Sequence, residues 1–95
     1  KDDMLVGCIV AIITDNEPGI LPEKIGIIRE LLVDLHTKQS QGGLGKQLFE
    51  VAVNWFEQNN IEKIKVAVSR HSAVEQAFWR GVGAKHRQDI FEWDL

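Results

Sequence analysis

The sequence has no tyrosine, a single cysteine and only two prolines among its 95 residues. A lone Cys8 excludes an internal disulfide, which leads to the expectation of a reducing, cytoplasmic setting. Its surroundings, Leu5 to Ile13, are apolar throughout, so Cys8 reads as a core filler and not as a nucleophile. The three histidines and one cysteine lack metal-site spacing, and no metal is expected. There is no surplus of positive charge: the formal net charge is −3, which gives no general attraction to nucleic acid or to a membrane surface. No apolar run reaches membrane-spanning length. Repeats, low-complexity tracts and long linkers are absent as well. Because the chain opens on Lys1 and not on methionine, it is expected to be cut from a longer parent.

What is present suits one small core. Met4 to Thr14 is a β-branched apolar run that reads as an interior strand. Asp15 to Gly19 is a turn cluster, and Pro22 extends the loop. Ile25 to Leu35 is a second strand, antiparallel to the first across that loop. From Leu44 the period changes to that of a helix. Leu44, Leu48, Val51 and Trp55 form one stripe with Ala52 and Phe56 beside it, and Asn59-Asn60 ends the helix. Trp55 and Phe56 both read as core. Ile64, Val66 and Val68 alternate with Lys63 and Lys65 as a short strand with a wet side. Coming after a helical crossover, it is parallel to the second strand. Ser72 to Glu75 matches a capping box for a second helix, with Val74, Ala77 and Phe78 inward and Gly83 as its stop. Gln88 to Leu95 alternates again and reads as a closing strand. The expected class is α/β with a mixed sheet, in the order β-β-α-β-α-β.

Between the second strand and the first helix lies Gln41-Gly42-Gly43-Leu44-Gly45-Lys46. A glycine-rich turn here presents backbone N–H groups at the positive end of the helix dipole, where an anion such as phosphate is held. A tight connection made of small residues is the plainer alternative. Two nucleotide motifs fail on specific residues. A P-loop needs glycine at Ser40 and a hydroxyl at Gln47, and a dinucleotide fingerprint needs glycine at Leu48. Backbone capture of a pyrophosphate is what remains.

Leu31-Leu32-Val33, a polar loop and Gly43-Leu44-Gly45-Lys46-Gln47-Leu48 resemble the acyl-CoA signature of the GNAT superfamily of N-acetyltransferases. Phe78-Trp79-Arg80-Gly81-Val82-Gly83-Ala84 is similar to the late motif of that family. The resemblance implies a truncated GNAT acyl-CoA N-acyltransferase fold. Residues 1–95 would be a single domain lacking the family's N-terminal strand and first two helices. It also implies acetyl-CoA as co-substrate, with its pyrophosphate on the amides of Gln41, Gly42, Gly43, Leu44, Gly45 and Lys46. The pantetheine would run along Leu31, Leu32 and Val33 like an added strand. Ser72, where the family often has asparagine, and Trp79, in the place of a tyrosine, would lie against the cofactor. An amine would attack the thioester directly, which calls for a base, oxyanion donors and a proton for the thiolate.

Glu30, on the face of Ile28 and Leu32 by alternation, is the candidate base, with an ion-paired carboxylate as the plainer reading. His36, His71 and His86 read as loop residues, His36 with a second reading as base or phosphate contact. Trp79 has packing against the sheet as its alternative, and Lys46 a solvated first-turn position. The lack of tyrosine keeps open a second function, a non-catalytic acyl-CoA-binding or regulatory module. The missing front end leaves apolar sheet area uncovered, which leads to the expectation of a homodimer.

Overall fold

A computed structural model of the chain describes residues 7–33 and 43–95. Strand β1 (Gly7–Asp15) pairs antiparallel with β2 (Lys24–Val33). Asn16 organises the loop between them. Its Nδ2 donates to the Pro22 carbonyl at 2.9 Å, its Oδ1 accepts from the Glu17 N–H at 2.8 Å, and its own N–H donates to the Glu23 carbonyl at 2.7 Å. Helix α1 (Leu44–Gln58) then crosses over to β3 (Ile64–Val66), which joins β2 in parallel. Helix α2 (Ala73–Gly81) follows, and the sheet order is β1-β2-β3. This mixed sheet with its helical crossover is the α/β arrangement that the sequence pattern requires.

The last expected element differs. Gln88 to Leu95 joins none of the three strands, and Ile90, Phe91, Trp93 and Leu95 on it are exposed. Alternation makes a segment fit for a strand, but a strand also needs a ladder partner.

One irregularity sets the faces of the sheet. Val10 stands opposite Glu30 while Ala11 stands opposite Ile28, so Arg29 is an extra residue on β2, a β-bulge. Before the bulge, Gly26 and Ile28 face α1. After it, Leu31 and Val33 do, because a one-residue insertion inverts the alternation. Glu30 therefore does not share the face of Ile28, as strict alternation had it. It lies with Leu32 on the opposite face and is exposed. That second face also carries Cys8, Val10, Ile12, Thr14, Ile25 and Ile27, and Val10 and Leu32 are open to solvent.

The core lies between the sheet and the helices: Ile28, Ala52, Phe56, Ile61 and Trp79 are buried, with Phe56 fully so. Helix α1 is turned relative to the stripe expected from its sequence. Ala52 and Phe56 point inward, whereas Val51 is 65% and Trp55 40% exposed. Its end is where Asn59-Asn60 places it. Asn60 takes the left-handed conformation (φ 61°) and donates to the Glu57 carbonyl at 3.1 Å, and Ile61 N–H reaches the Phe56 carbonyl at 3.0 Å. This is a Schellman motif with its usual apolar contact, since Ile61 and Phe56 share the core.

Helix α2 ends in the same way. Gly83 (φ 101°) donates to the Arg80 carbonyl at 3.0 Å and Ala84 to the Trp79 carbonyl at 2.9 Å. Its inward side keeps Phe78 of the three expected residues but not the other two. Val74 is 77% exposed and Ala77 is exposed, while Trp79 is buried and Phe78 half-buried. Trp79 meets Phe49 edge-on at a centroid distance of 5.4 Å and Phe78 at 4.9 Å. These aromatic contacts, and not the aliphatic positions, set the rotation of α2.

Candidate functional site

The first turn of α1 begins at Gly43, which caps it in the left-handed conformation (φ 84°, ψ 32°); among the described residues no side chain caps it, and no acidic residue lies in the first turn. The Gln47 N–H donates to the Gly43 carbonyl at 3.0 Å, so the helical ladder begins there. Helix geometry gives the preceding amides, those of Leu44, Gly45 and Lys46, no acceptor within the helix. They lie at the positive end of the dipole.

The two glycines in this turn serve different ends. Among the described residues a Cβ on Gly43 would meet nothing within 4 Å, so glycine is there for its positive φ. A Cβ on Gly45 would stand 3.2 Å from Cε1 of Phe78 and 3.7 Å from Cγ2 of Val33. Gly45 is thus a packing glycine, and it draws the start of α1 against the end of β2. Of the glycine run, Gln41 and Gly42 lie outside the described residues, as do Ser40 and His36.

The second component is a parting of strands. β3 pairs with β2 only from Gly26 to Ile28, while β2 continues to Val33. Leu31, Leu32 and Val33 are matched to β1 through Ile9, Cys8 and Gly7. On their other side β3 has already ended. A wedge with strand backbone on one side therefore opens towards the first turn of α1, and Val33 connects the two through Gly45. Sequence reasoning selected Leu31–Val33 and Gly43–Lys46 separately, and the fold brings them together.

Ser72 and Trp79 have structural placements. Ser72 caps α2, its Oγ accepting the Glu75 N–H at 3.3 Å. The reciprocal half of the capping box is replaced: the Ser72 N–H donates to the Ser69 carbonyl at 3.2 Å. Trp79 sits in the core, the packing alternative of its two readings. His71 is exposed beside the α2 cap, its N–H donating to Ser69 Oγ at 3.1 Å. His86 Nε2 lies 2.8 Å from Asp89 Oδ1. Among the described residues no cluster of His, Cys, Asp and Glu is arranged to hold a metal, and no helix is long and apolar enough to cross a membrane.

A shallow cavity of about 420 Å³ lies over β1 and β2 on the sheet face opposite α1 and reaches Ala67 just after β3; it is lined by Ile12, Thr14, Ile27, Ile28, Arg29 and Ala67. Arg29 and Thr14 were not singled out by the sequence pattern, because the bulge that sets Arg29 there has no residue signature. A second cavity, of about 350 Å³, flanks Lys46, Phe49 and Glu50 of α1 and reaches Gly81–Gly83 after α2.

No protein-family model matches the sequence, and no curated protein matches it. Solved structures do match in fold. An aminoglycoside N-acetyltransferase, AAC(6')-Iy, solved in complex with CoA, superposes with a TM-score of 0.84 at 16% identity, over 100% of this chain and 70% of that one. The aminoglycoside antibiotic 6'-N-acetyltransferase AAC(6')-Ig of Acinetobacter haemolyticus gives 0.79 at 16% identity, over 100% and 65%. An aminoglycoside acetyltransferase from an uncultured soil metagenomic sample, solved with trehalose, gives 0.76 at 19%, over 99% and 60%. The fold is that of the GNAT N-acetyltransferases, as the sequence resemblance implies. The chain spans about two thirds of the length of these neighbours.

Proposed function

We propose that this chain is the acyl-CoA-binding part of an N-acetyltransferase that passes the acetyl group of acetyl-CoA directly to an amine. The observation that carries this reading is the N-terminus of α1, which no described side chain caps, beginning on left-handed Gly43 beside the end of β2 where β3 has parted from it. The amides of Leu44, Gly45 and Lys46, with Gln41, Gly42 and Gly43 before them, hold the pyrophosphate. The pantetheine lies in the wedge against Leu31, Leu32 and Val33 as a surrogate strand, with Ser72 and Trp79 beyond it. The solved complex of a fold neighbour with CoA supports this cargo.

In the reaction the amine nitrogen forms a bond to the thioester carbonyl carbon, the C–S bond breaks, and CoA leaves as a thiolate that takes up a proton. Glu30, exposed on the face opposite α1, is the group that removes the proton from the ammonium. Residues 1–95 form one domain of this fold without its N-terminal strand and first two helices. Exposed Val10 and Leu32 on the second sheet face support a homodimer, and the single cysteine a cytoplasmic setting.

One observation favours a second reading, a non-catalytic acyl-CoA-binding module: the chain has no tyrosine, and the indole of Trp79 is buried in the core. A thiol-release assay with acetyl-CoA and a panel of amines separates the two. Release that requires the amine supports transfer. Binding of acetyl-CoA without release supports the module.

A further inference from the structure

We infer that the acceptor is an amine of amino-acid size that carries a carboxylate, seated in the cavity over β1 and β2 on the sheet face opposite α1, with its carboxylate on Arg29; this rests on the acetyl-transfer reading above.

Three observations converge on this. First, among the described residues the cavity has a single ionisable lining residue, and it is a cation. Ile12, Ile27, Ile28 and Ala67 are apolar, Thr14 supplies a hydroxyl, and Arg29 supplies the charge. No carboxylate lines it among the described residues, which offer a second ammonium group only a guanidinium that repels it. Discrimination against a wrong ligand by like charge is as effective as attraction of the right one. A planar guanidinium also matches a carboxylate through two parallel hydrogen bonds, a fit that a point charge does not give.

Second, the placement of Arg29 is imposed by the backbone. It is the extra residue of the β2 bulge, the one position on that strand without a partner on β1. Bulges re-aim side chains next to sites. Here the bulge sets Arg29 at the point where β3 stops pairing with β2 and the wedge begins. Glu30 follows it directly, facing away from α1. A cation and an anion in adjacent positions match the two ends of a zwitterionic acceptor: the carboxylate at Arg29, the ammonium at Glu30.

Third, the size is right. A volume of about 420 Å³ lies at the small end of ligand pockets, roughly 300–1,000 Å³. The overall charge of −3 also separates Arg29 from any general basic surface.

The test is calorimetric titration of the protein, saturated with CoA, with two matched pairs: leucine against leucinamide, and 6-aminohexanoate against its amide. 1,4-Diaminobutane is the dication control. The wild type is expected to bind at least one acid tenfold or more tightly than its amide and than the diamine. Arg29→Gln abolishes that preference, and Arg29→Lys retains part of it, while affinity for acetyl-CoA stays within twofold in both. An amide or the diamine binding as tightly as the acids overturns the inference, and so does a preference that survives Arg29→Gln, or no binding of either acid. Thiol release, measured in parallel with acetyl-CoA in place of CoA and the same acids, amides and diamine, keeps the two readings apart. Arg29-dependent binding of an acid without release sustains the carboxylate seat at Arg29 and sinks acetyl transfer. Equal release with acids, amides and diamine sustains transfer and sinks the acceptor class.

Discussion

The ring of Phe56 lies directly on the backbone of Gly26. A Cβ at Gly26 would run into Cε1 of that ring, closer than any side chain can occupy. Gly26 is the first residue of β2 that pairs with β3, and its N–H donates to the Lys63 carbonyl at 2.8 Å. The missing side chain lets the one fully buried residue of the core reach the centre of the sheet. Gly26→Ala is expected to cost about 1–3 kcal/mol, the range for overpacking a core. In a Phe56→Leu background the same change costs less than half as much. Urea denaturation of the four proteins measures the coupling, and an equal cost in both backgrounds contradicts the contact.

The tryptophans of the two helices have opposite roles. Trp79 is 7% exposed among Phe49 and Phe78, whereas Trp55 is 40% exposed. Trp79→Ala is expected to lower stability by about 3–5 kcal/mol, and Trp55→Ala by about 1 kcal/mol or less. Trp79→Phe keeps an aromatic edge and gives an intermediate loss if the alanine variant does not fold. Chemical denaturation followed by far-UV circular dichroism reads all three.

These helices also mark where sequence ceases to be sufficient. Asn60, Ser72 and Gly83 were legible, because caps act through the backbone within a few residues of themselves. So was the strand order, since a helical crossover dictates parallel pairing. Which face of α1 turns inward was not legible. The helix carries apolar residues on two adjacent lines, one through Val51 and Trp55 and one through Ala52 and Phe56. The choice between them is made by the gap at Gly26, a long-range contact.

The bulge at Arg29 was hidden for a similar reason. It is a property of the pairing with β1, and it moved Glu30 to the other face. At the site, Leu31–Val33 and Gly43–Lys46 were readable as segments, and their meeting through Val33 and Gly45 only as a consequence of the fold.

The loop end of the hairpin carries a pH signature. Asp15 and Lys24 are register partners, with Lys24 Nζ donating to Asp15 Oδ1 at 2.6 Å. The hydrogen bond from Lys24, and then its charge, hold the Asp15 carboxyl below its ordinary value. The reciprocal contacts hold the Lys24 ammonium above its own. The contribution of Asp15 is therefore present above the ordinary carboxylate range and lost as pH falls through its lowered value. That of Lys24 is present below the ordinary lysine value and lost as pH rises through its raised one. Both groups are exposed, so the effect is small and sensitive to salt. Carboxyl NMR titration is expected to show Asp15 below its ordinary value in the wild type and returning upward in Lys24→Met. No movement on that substitution contradicts the pairing.

The most direct test of the central claim is calorimetric titration of the wild type and of Gly43→Asp with acetyl-CoA. Aspartate tolerates the left-handed backbone better than most residues, and a carboxylate at a helix N-terminus stabilises it. The variant is therefore expected to keep its circular dichroism spectrum and its stability to within about 1 kcal/mol. The same carboxylate occupies the seat proposed for the pyrophosphate. The expected wild-type Kd is on the order of micromolar, about −8 kcal/mol, weakened tenfold or more in Gly43→Asp. A folded wild type that does not bind acetyl-CoA, or a variant that binds it equally well, overturns the phosphate seat at the start of α1.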